Sequence, residues 1–322
     1  MKKLIFGFLV LTMFSTAGYG AQCVDYDAVE NTPTFNFPSK SGFRFFWNKW
    51  LSRDIPFHMG HDVIAAPNTS FTVTGKFDYG AVAHKDLEYE YVKVYYTGTD
   101  MNQWSYKGRY KTNSDGKIHV NFGGLATGNY KVRMVVVGDL SYADAWVSVV
   151  DSGTKAVIFD IDETLTTSDL EQVHDYLGIE QADARGGAAD LVNAYRDLGY
   201  QIVYVTARVY WYAKGTRRWL RDQGIPEWTL KTSLSNSTSL LNTANYKRDY
   251  LNAIQAQGVE IFRAYGNADT DIEAFKAAGI ADEDIYIIGS NAGDGNTQPI
   301  WEPDYYNHLS QIVYETEDSG CN

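Results

Sequence analysis

The sequence predicts two domains, an antiparallel β-sandwich followed by an α/β domain built on a Rossmann-like parallel sheet. Three observations predict this fold class. Short runs of alternating apolar and polar residues fill positions 62–150, and turn-forming residues separate them. The alternation stops at Asp151-Ser152-Gly153, after which apolar strands alternate with helical patterns. With 322 residues, the chain is also long enough for about two domains.

The first residues predict a signal peptide over positions 1–21. Two lysines follow Met1, an apolar run covers 4–14, and small residues lead to Gly20 and Ala21, where we expect cleavage. The protein is therefore expected to be exported, either to a periplasm or out of the cell. No later stretch approaches the length of a membrane-spanning helix, so we expect no transmembrane helix after cleavage.

The charge and the cysteines narrow the class of protein further. The formal net charge is −12, which argues against a nucleic-acid partner. The two cysteines, Cys23 and Cys321, lie near the two ends of the chain. An oxidising compartment favours a disulfide between them, and a pair of unrelated free thiols is the alternative.

Residues 22–61 form a lead segment with a concentration of aromatic and basic residues at positions 43–53. Such a mixture suits a membrane interface, where rings and cations lie together. It also suits a helix packed on a sheet, with basic side chains lying over apolar surface, and we favour this second interpretation. His58 and His61 could hold a metal by their spacing, but a turn with hydrogen-bonded imidazoles is preferred.

Residues 62–151 predict an immunoglobulin-like sandwich, because about six short strands alternate with turns such as 113–116 and 127–129. We expect this domain to bind or position a ligand, with a purely structural role as the alternative. The predicted strand regions are 71–77, 91–96, 104–110, 117–122, 130–137 and 145–150.

Residues 152–290 contain the stretch KAVIFDIDETLTTS, in which a buried strand, 156–159, ends at two carboxylates. The carboxyl ends of parallel strands are where such sheets bind ligands. Asp160 and Asp162 are one residue apart, so they need a positive counter-charge, which Mg²⁺ supplies well because it prefers oxygen ligands.

Two other interpretations of this stretch compete with a magnesium site. The first is a solvated loop or helix cap, since Asp and Thr favour helix N-termini. The second is a calcium loop, with Asp160, Asp162, Thr164 and Glu171 at positions 1, 3, 5 and 12. Leu165 opposes the calcium loop, because it stands where the sharp turn needs glycine.

Later strand ends carry further polar groups. The strand 201–205 ends at Thr206, whose hydroxyl could donate to a phosphoryl oxygen. The strand 259–265 ends in GNADTD, where Asn267, Asp269 and Asp271 offer oxygen ligands.

The helix after Thr206 predicts a basic patch in an acidic protein. This patch could bind a phosphate or an anionic bilayer, and a solvated helix face is the alternative. Its members are Lys214, Arg217, Arg218 and Arg221. Residues 291–322 form a C-terminal tail.

Four motifs in order resemble those of the haloacid dehalogenase superfamily of phosphohydrolases: DIDET, YVTAR, Lys247 and GNADTD. More narrowly, DIDETLTTSD, TAR before GTRRWL, and AYGNADTD look like the lipin-type phosphatidate phosphatase domain. That domain also occurs at the end of membrane-associated phosphatidylinositol transfer proteins. The resemblance covers about 153–290. Glu163 departs from it, because the lipin pattern has Gly there and acid phosphatases of the superfamily also use DET.

The resemblance implies a haloacid dehalogenase fold and an Mg²⁺-dependent phosphatase. Asp160 is then the nucleophile that forms an aspartyl phosphate, and Asp162 is the general acid and base. Thr206 and Lys247 stabilise the phosphoryl oxygens. The implied metal site consists of Asp160, the backbone carbonyl of Asp162, and Asp271, with Asn267 orienting the loop and Asp269 as the alternative. The implied substrate-binding residues are Thr206, Arg208, Lys214, Arg217 and Arg218.

The spacing of the motifs leaves about 40 residues between Asp162 and Thr206, and again between Thr206 and Lys247. We therefore expect little or no cap domain and an open site. An open site suits a phosphomonoester on a bulky substrate, such as phosphatidate at a membrane surface, with peripheral membrane contact. A broad-specificity acid phosphatase and a non-catalytic phosphatidate-binding module are the alternatives.

Overall fold

The computed structural model describes residues 21–80, 84–167, 182–233 and 243–321. Residues 1–20 of the predicted signal peptide lie outside these residues, and so does Glu171 of the calcium pattern. The helices are α1 Asp27–Glu30, α2 Phe46–Leu51, α3 Ala188–Asp197, α4 Ala213–Asp222, α5 Thr243–Gln255, α6 Asp269–Ala277 and α7 Tyr306–His308. The strands of the first domain are β1 Met59–Gly60, β2 Val63–Ala65, β3 Phe71–Lys76, β4 Asp78–Tyr79, β5 Lys85–Asp86, β6 Tyr91–Gly98, β7 Ser105–Lys111, β8 Lys117–Phe122, β9 Gly128–Val136 and β10 Tyr142–Val149. The strands of the second domain are β11 Thr154–Phe159, β12 Gln201–Val209, β13 Thr229–Ser233, β14 Val259–Gly266, β15 Ile285–Ile288 and β16 Gln298–Ile300.

The first domain is a β-sandwich, as predicted. Within the described residues, a three-stranded sheet has the order β1-β3-β8, and a five-stranded sheet has the order β2-β10-β9-β6-β7. All pairs are antiparallel except β2 with β10. Strand β8 shows the period of two, because Ile118, Val120 and Phe122 are buried whereas His119 and Asn121 are exposed. The inward side chains of both sheets form one apolar core.

The second domain contains a parallel sheet, also as predicted, with six strands among the described residues in the order β13-β12-β11-β14-β15-β16. Counted from β11, the order is 3-2-1-4-5-6, so the succession of strands reverses between β11 and β14. Alternate residues of β11 face two apolar layers: Val157 and Phe159 pack with α3, and Ala156 and Ile158 with α5 and α6. The sheet edge between β11 and β14 is therefore the expected ligand site.

The lead segment joins the two domains. Tyr26 donates from its hydroxyl to the carbonyl of Tyr200 at 2.6 Å, and Asp25 accepts from Thr99 of the sandwich domain at 2.9 Å. Cys23 and Cys321 form a disulfide with their Cα atoms 4.8 Å apart. Both ends of the described chain are thus attached to the folded body.

The aromatic residues of α2 do not pack as predicted. The helix lies on the sandwich through Asn48 and Leu51, whereas Phe46, Trp47 and Trp50 are exposed. The preferred interpretation of a helix with its rings packed on a sheet was therefore wrong for these three side chains. No helix among the described residues has the length and apolar character required to cross a bilayer.

Candidate functional site

The centre of the candidate site is a buried lysine between two carboxylates. Lys247 Nζ lies 2.6 Å from Asp160 Oδ1 and 2.6 Å from Asp271 Oδ1. Asp160 directly follows β11, Asp271 is in the first turn of α6, and Lys247 is on α5. All three side chains are buried. The structure thus brings together residues from three of the four sequence motifs at the reversal point of the sheet.

Burial and the neighbouring opposite charges shift the pKa values of Asp160 and Lys247 in opposite directions. Burial raises the pKa of Asp160 to about 7, Lys247 opposes the shift, and the nearby carboxylates of Asp271 and Asp162 add to it. Burial alone would lower the pKa of Lys247, but the attraction of Asp160 and Asp271 outweighs it, and the net shift is upward. Lys247 therefore remains a cation, and its charge makes two adjacent buried carboxylates tolerable.

Asp271 is held by the loop that precedes it. Its Oδ2 atom accepts from the backbone N–H groups of Asn267 and Ala268, both at 3.1 Å, and so caps the start of α6. Gly266 allows this approach, because a Cβ atom there would lie 2.6 Å from the Cβ atom of Asp271. Both oxygens of Asp271 are therefore engaged by hydrogen-bond donors of the chain.

Thr164 brings a further oxygen next to Asp160. Its hydroxyl lies 3.2 Å from Asp160 Oδ2 and 3.2 Å from the amide oxygen of Asn267. A hydroxyl has one proton to donate, so these two converging acceptors are incompletely satisfied. Carboxylate and amide oxygens are the ligand types that Mg²⁺ prefers, and this pair fits such an ion.

The predicted metal set is only partly assembled. Among the described residues, no three acidic, histidine or cysteine side chains are arranged to hold a metal. Asp271 is engaged as above, and the Asp162 side chain points to other partners. The converging oxygens that fit a metal are those of Asp160 and Asn267, while the role of the Asp271 carboxylate as a further ligand stays a prediction.

A second cluster joins the predicted acid to the predicted phosphate ligands. Arg208 Nη2 lies 2.6 Å from Asp162 Oδ1, and Arg208 Nε lies 2.9 Å from Oδ2. The hydroxyl of Thr206 donates to Asp162 Oδ2 at 3.1 Å. Arg208 Nη1 also donates to Thr216 at 2.8 Å, which orients the guanidinium against α4. The Asp162 carboxylate occupies donors that the resemblance assigns to a phosphate.

The turn between the two clusters has an unusual backbone. Glu163 has φ = 54°, in the left-handed region that favours glycine. Its carbonyl accepts from Arg185 Nη2 at 2.7 Å, and its N–H donates to Thr166 at 2.9 Å. Tyr305 donates to the carbonyl of Thr164 at 2.9 Å. Sequence reasoning missed Arg185 and Tyr305, since they lie outside every motif and only the fold brings them to the turn.

The basic patch on α4 is smaller than predicted. Arg217 is buried, where it forms an ion pair with Asp62 and donates to the carbonyl of Trp228 at 3.0 Å. It is therefore not an exposed ligand for substrate, which corrects that expectation. The helical period could have predicted the burial of Arg217, because this residue is four positions after buried Ala213 and three before buried Leu220.

The exposed members of the patch line a cavity of about 380 Å³ between the domains. Lys214 and Arg218 are one helical turn apart there, and His58 and Tyr142 lie on the sandwich side. His58 accepts from the N–H of Asp78 at 3.3 Å, and its other ring nitrogen lies 2.9 Å from the Ser141 hydroxyl. The imidazole of His58 is thus hydrogen-bonded on both sides.

Comparison with known proteins relates both domains to one family. Residues 56–149 match the family model described as the PITM 1-3 beta-sandwich domain, and residues 157–289 match the PITM 1-3 LNS2 domain. These matches support a PITM-type family for this chain. Together, the two matched segments cover the sandwich and the domain that contains the candidate site.

The similar proteins are much longer than this chain. Human membrane-associated phosphatidylinositol transfer protein 2 is 28% identical over 266 residues, which cover 80% of this chain and 19% of that protein. Rat membrane-associated phosphatidylinositol transfer protein 1 is 34% identical over 175 residues, which cover 52% of this chain and 13% of that protein. The Drosophila melanogaster protein retinal degeneration B is 28% identical over 239 residues, which cover 72% of this chain and 18% of that protein. This chain therefore spans less than a fifth of each of these three relatives.

Proposed function

We propose that this chain is an exported Mg²⁺-dependent phosphatase that hydrolyses a lipid phosphomonoester, phosphatidate being the first candidate. The observation that carries the proposal is the Asp160–Lys247–Asp271 group at the reversal point of the parallel sheet. It combines a carboxylate that can attack phosphorus with a fixed cation beside it. Such an arrangement favours phosphoryl transfer, where catalysis consists mainly of placement and charge stabilisation.

In the proposed reaction, a carboxylate oxygen of Asp160 attacks phosphorus, and the bond from phosphorus to the ester oxygen breaks. Asp162 gives its proton to the leaving alkoxide. A water molecule, deprotonated by Asp162, then attacks the aspartyl phosphate, which releases inorganic phosphate and restores the carboxylate of Asp160. The Lys247 cation, 2.6 Å from Asp160 Oδ1, stabilises the negative charge that Asp160 and the phosphate bring together.

Asp162 can act as an acid only after its contact with Arg208 opens and its carboxylate has taken up a proton from water. A phosphate dianion offers Arg208 and Thr206 stronger acceptors than a carboxylate does. We propose that the substrate phosphate replaces Asp162 on these two donors, which releases Asp162 towards the leaving oxygen. Binding of the substrate and activation of the acid are then one event.

The resident metal in this proposal is Mg²⁺. Asp160 and Asn267 would hold it, together with the backbone carbonyl of Asp162 and the Asp271 carboxylate that the resemblance implies. Bound there, Mg²⁺ supplies positive charge to the phosphoryl oxygens during the transfer.

The lipid substrate class rests on the comparisons. Two of the three relatives are named membrane-associated phosphatidylinositol transfer proteins, and the LNS2 model covers the candidate site. Export is supported by the disulfide between Cys23 and Cys321, a bond typical of oxidising compartments.

A second candidate function is binding of a lipid phosphate without turnover. The observation in its favour is the Asp162 carboxylate, which is engaged by Arg208 and Thr206 rather than turned to Asp160. In this binding function, the lipid phosphate displaces Asp162 from Arg208 and Thr206, but its ester bond is not cleaved.

The test is phosphate release by the purified protein, with Mg²⁺ or with EDTA, from dispersed phosphatidate and from a soluble aryl phosphate. The proposal expects Mg²⁺-dependent release with a preference for phosphatidate, and its loss in the Asp160→Asn variant. Release from the soluble ester without a lipid preference would identify a broad-specificity acid phosphatase. Binding to phosphatidate vesicles without release from either compound would establish the binding function, whereas undiminished activity of Asp160→Asn would remove Asp160 as nucleophile.

A further inference from the structure

Helix α2 buries a polar residue and exposes its aromatic residues, which is the reverse of the usual arrangement. Asn48, a polar residue, is buried against the sandwich. Phe46, Trp47 and Trp50 are 71%, 73% and 58% exposed. A helix packed on a domain normally buries its apolar stripe and exposes its polar one. We call these three aromatic residues the aromatic wedge.

The reversed orientation is held by buried polar contacts. Asn48 donates to the carbonyl of Glu88 at 2.8 Å and to the Glu90 carboxylate at 2.9 Å. Glu90 also accepts from the backbone N–H groups of Arg44 and Phe45, at 2.9 and 3.0 Å, and so caps the start of the helix. Rotating the helix to bury the rings would break this network and leave the carboxylate of Glu90 buried without partners.

The segment before α2 is attached to the sandwich as well. The N–H of Ser41 donates to the carbonyl of Val137 at 3.0 Å. The ring of Phe43 lies against Gly138, where any Cβ atom would come within 2.5 Å of it. The wedge is thus displayed on a supported helix rather than on a loose loop.

Cations lie on the segment that carries the aromatic wedge and on strand β7 of the sandwich. Lys49 and Arg53 are exposed on the same segment. Arg44 and Arg109 both lie over the ring of Tyr91, at 5.0 and 4.4 Å, and Lys111 lies 5.9 Å from the ring of Tyr89. We call Arg44, Lys49, Arg53, Arg109 and Lys111 the basic rim. It stands out in a chain whose formal net charge is −12.

We propose that the aromatic wedge and its basic rim dock this protein on the interface of an anionic phospholipid bilayer. Tryptophan and phenylalanine bury their rings at the boundary between headgroups and acyl chains, and basic residues bind the anionic headgroups around them. The basic rim is the observation that selects this partner, because it complements an anionic lipid surface. The aromatic wedge precedes the segment matched by the PITM 1-3 sandwich model, whereas Arg109 and Lys111 of the basic rim lie within it. Docking through this surface does not depend on the proposed phosphatase activity.

The test is cosedimentation with vesicles of phosphatidylcholine, with and without phosphatidylserine, and free of phosphatidate. The wild type is expected to bind the anionic vesicles. The triple variant Phe46→Ser, Trp47→Ser, Trp50→Ser is expected to bind them at least about tenfold more weakly, because it loses the inserting rings. The double variant Lys49→Glu, Arg53→Glu is expected to lose the preference for anionic vesicles and most of the sensitivity to salt.

The matched control removes three aromatic side chains of similar exposure elsewhere, in the variant Trp301→Ser, Tyr306→Ser, Tyr314→Ser. These side chains are 74%, 59% and 62% exposed. The control is expected to bind like the wild type. Circular dichroism establishes that each variant is folded, and the single variant Trp47→Ser replaces the triple variant if the latter does not fold.

Three results would overturn the proposal. The first is a wild type that does not bind anionic vesicles, and the second is equal binding by the wild type and the wedge variant. The third is a wild-type dimer in sedimentation equilibrium that the wedge variant loses while vesicle binding is unaffected, because this would identify the wedge as a contact between two copies of the chain. None of these results depends on phosphate release, so failure of docking and failure of the phosphatase proposal are distinguishable.

Discussion

The carboxylate of Asp62 in the β-sandwich forms a buried ion pair with the guanidinium of Arg217 in the α/β domain. Asp62 also accepts from the N–H groups of Trp146 in β10 and Leu230 in β13, at 2.8 and 2.7 Å. The guanidinium lies 3.7 Å from the centre of the Trp146 ring. One carboxylate thus joins strands of both domains, which makes their contact a specific polar interface.

Replacing Asp62 with alanine is expected to lower the free energy of unfolding by about 3–5 kcal/mol, because Arg217 would remain buried without its partner. The measurement is denaturant unfolding of the purified protein. Glu227→Ala is the control, since it breaks the more exposed ion pair with Arg221 and is expected to cost at most about 1 kcal/mol. Equal effects of the two substitutions would contradict a structural role for the Asp62–Arg217 pair.

The Arg208→Ala variant tests the exchange of Asp162 for substrate phosphate. Loss of a charged donor to the phosphate is expected to raise KM for the phosphomonoester roughly 10- to 100-fold. Steady-state kinetics of phosphate release provide the measurement. The control is Arg221→Ala, which removes an exposed arginine of α4 that lines the cavity between the domains. An unchanged KM in Arg208→Ala would show that Arg208 does not contact the substrate.

The backbone of Glu163 can be tested with a pair of variants. Glu163→Gly and Glu163→Ala both lose the contact of the Glu163 carboxylate with Asn267, but only glycine adopts a positive φ without a steric penalty. The glycine variant is expected to be about 1 kcal/mol more stable than the alanine variant in thermal or denaturant unfolding. An alanine variant as stable as the glycine variant would contradict a strained turn at this position.

The stability of the protein is expected to fall as the pH drops from about 6.5 to about 3 because of His58. Burial, with a smaller contribution from Lys214, lowers the pKa of His58 to about 3. The unfolded chain therefore binds a proton in this range that the folded chain does not. From His58 alone, the free energy of unfolding is expected to change by at most about 1.4 kcal/mol per pH unit.

The measurement for His58 is the free energy of unfolding between pH 7 and pH 4, compared with that of His58→Gln. Glutamine retains a donor and an acceptor but does not titrate, so this variant is expected to show the weaker pH dependence. Parallel curves for the two proteins would mean that His58 is protonated in the folded state as readily as in the unfolded chain.

The positions of Asp160 and Asn267 were predictable because they depend on local patterns. An apolar strand followed by a polar loop is visible in the sequence, and parallel strands bring their carboxyl ends to one edge. The partners of Asp162 and Asp271 were not predictable in this way, since hydrogen bonds between distant segments compete for the same oxygens. Composition likewise favoured burial of the Trp47 ring, whereas the contact of Asn48 with Glu90, 42 residues later, turns that face outward.

The disulfide between Cys23 and Cys321 makes the polypeptide between them a covalent ring. A protease that cuts one peptide bond in this ring releases no fragment, because the two pieces remain joined through sulfur. A nicked molecule would migrate as one species in a denaturing gel without reductant and as two species with it. Damage at a single surface site therefore leaves both domains on one molecule as long as the disulfide is intact.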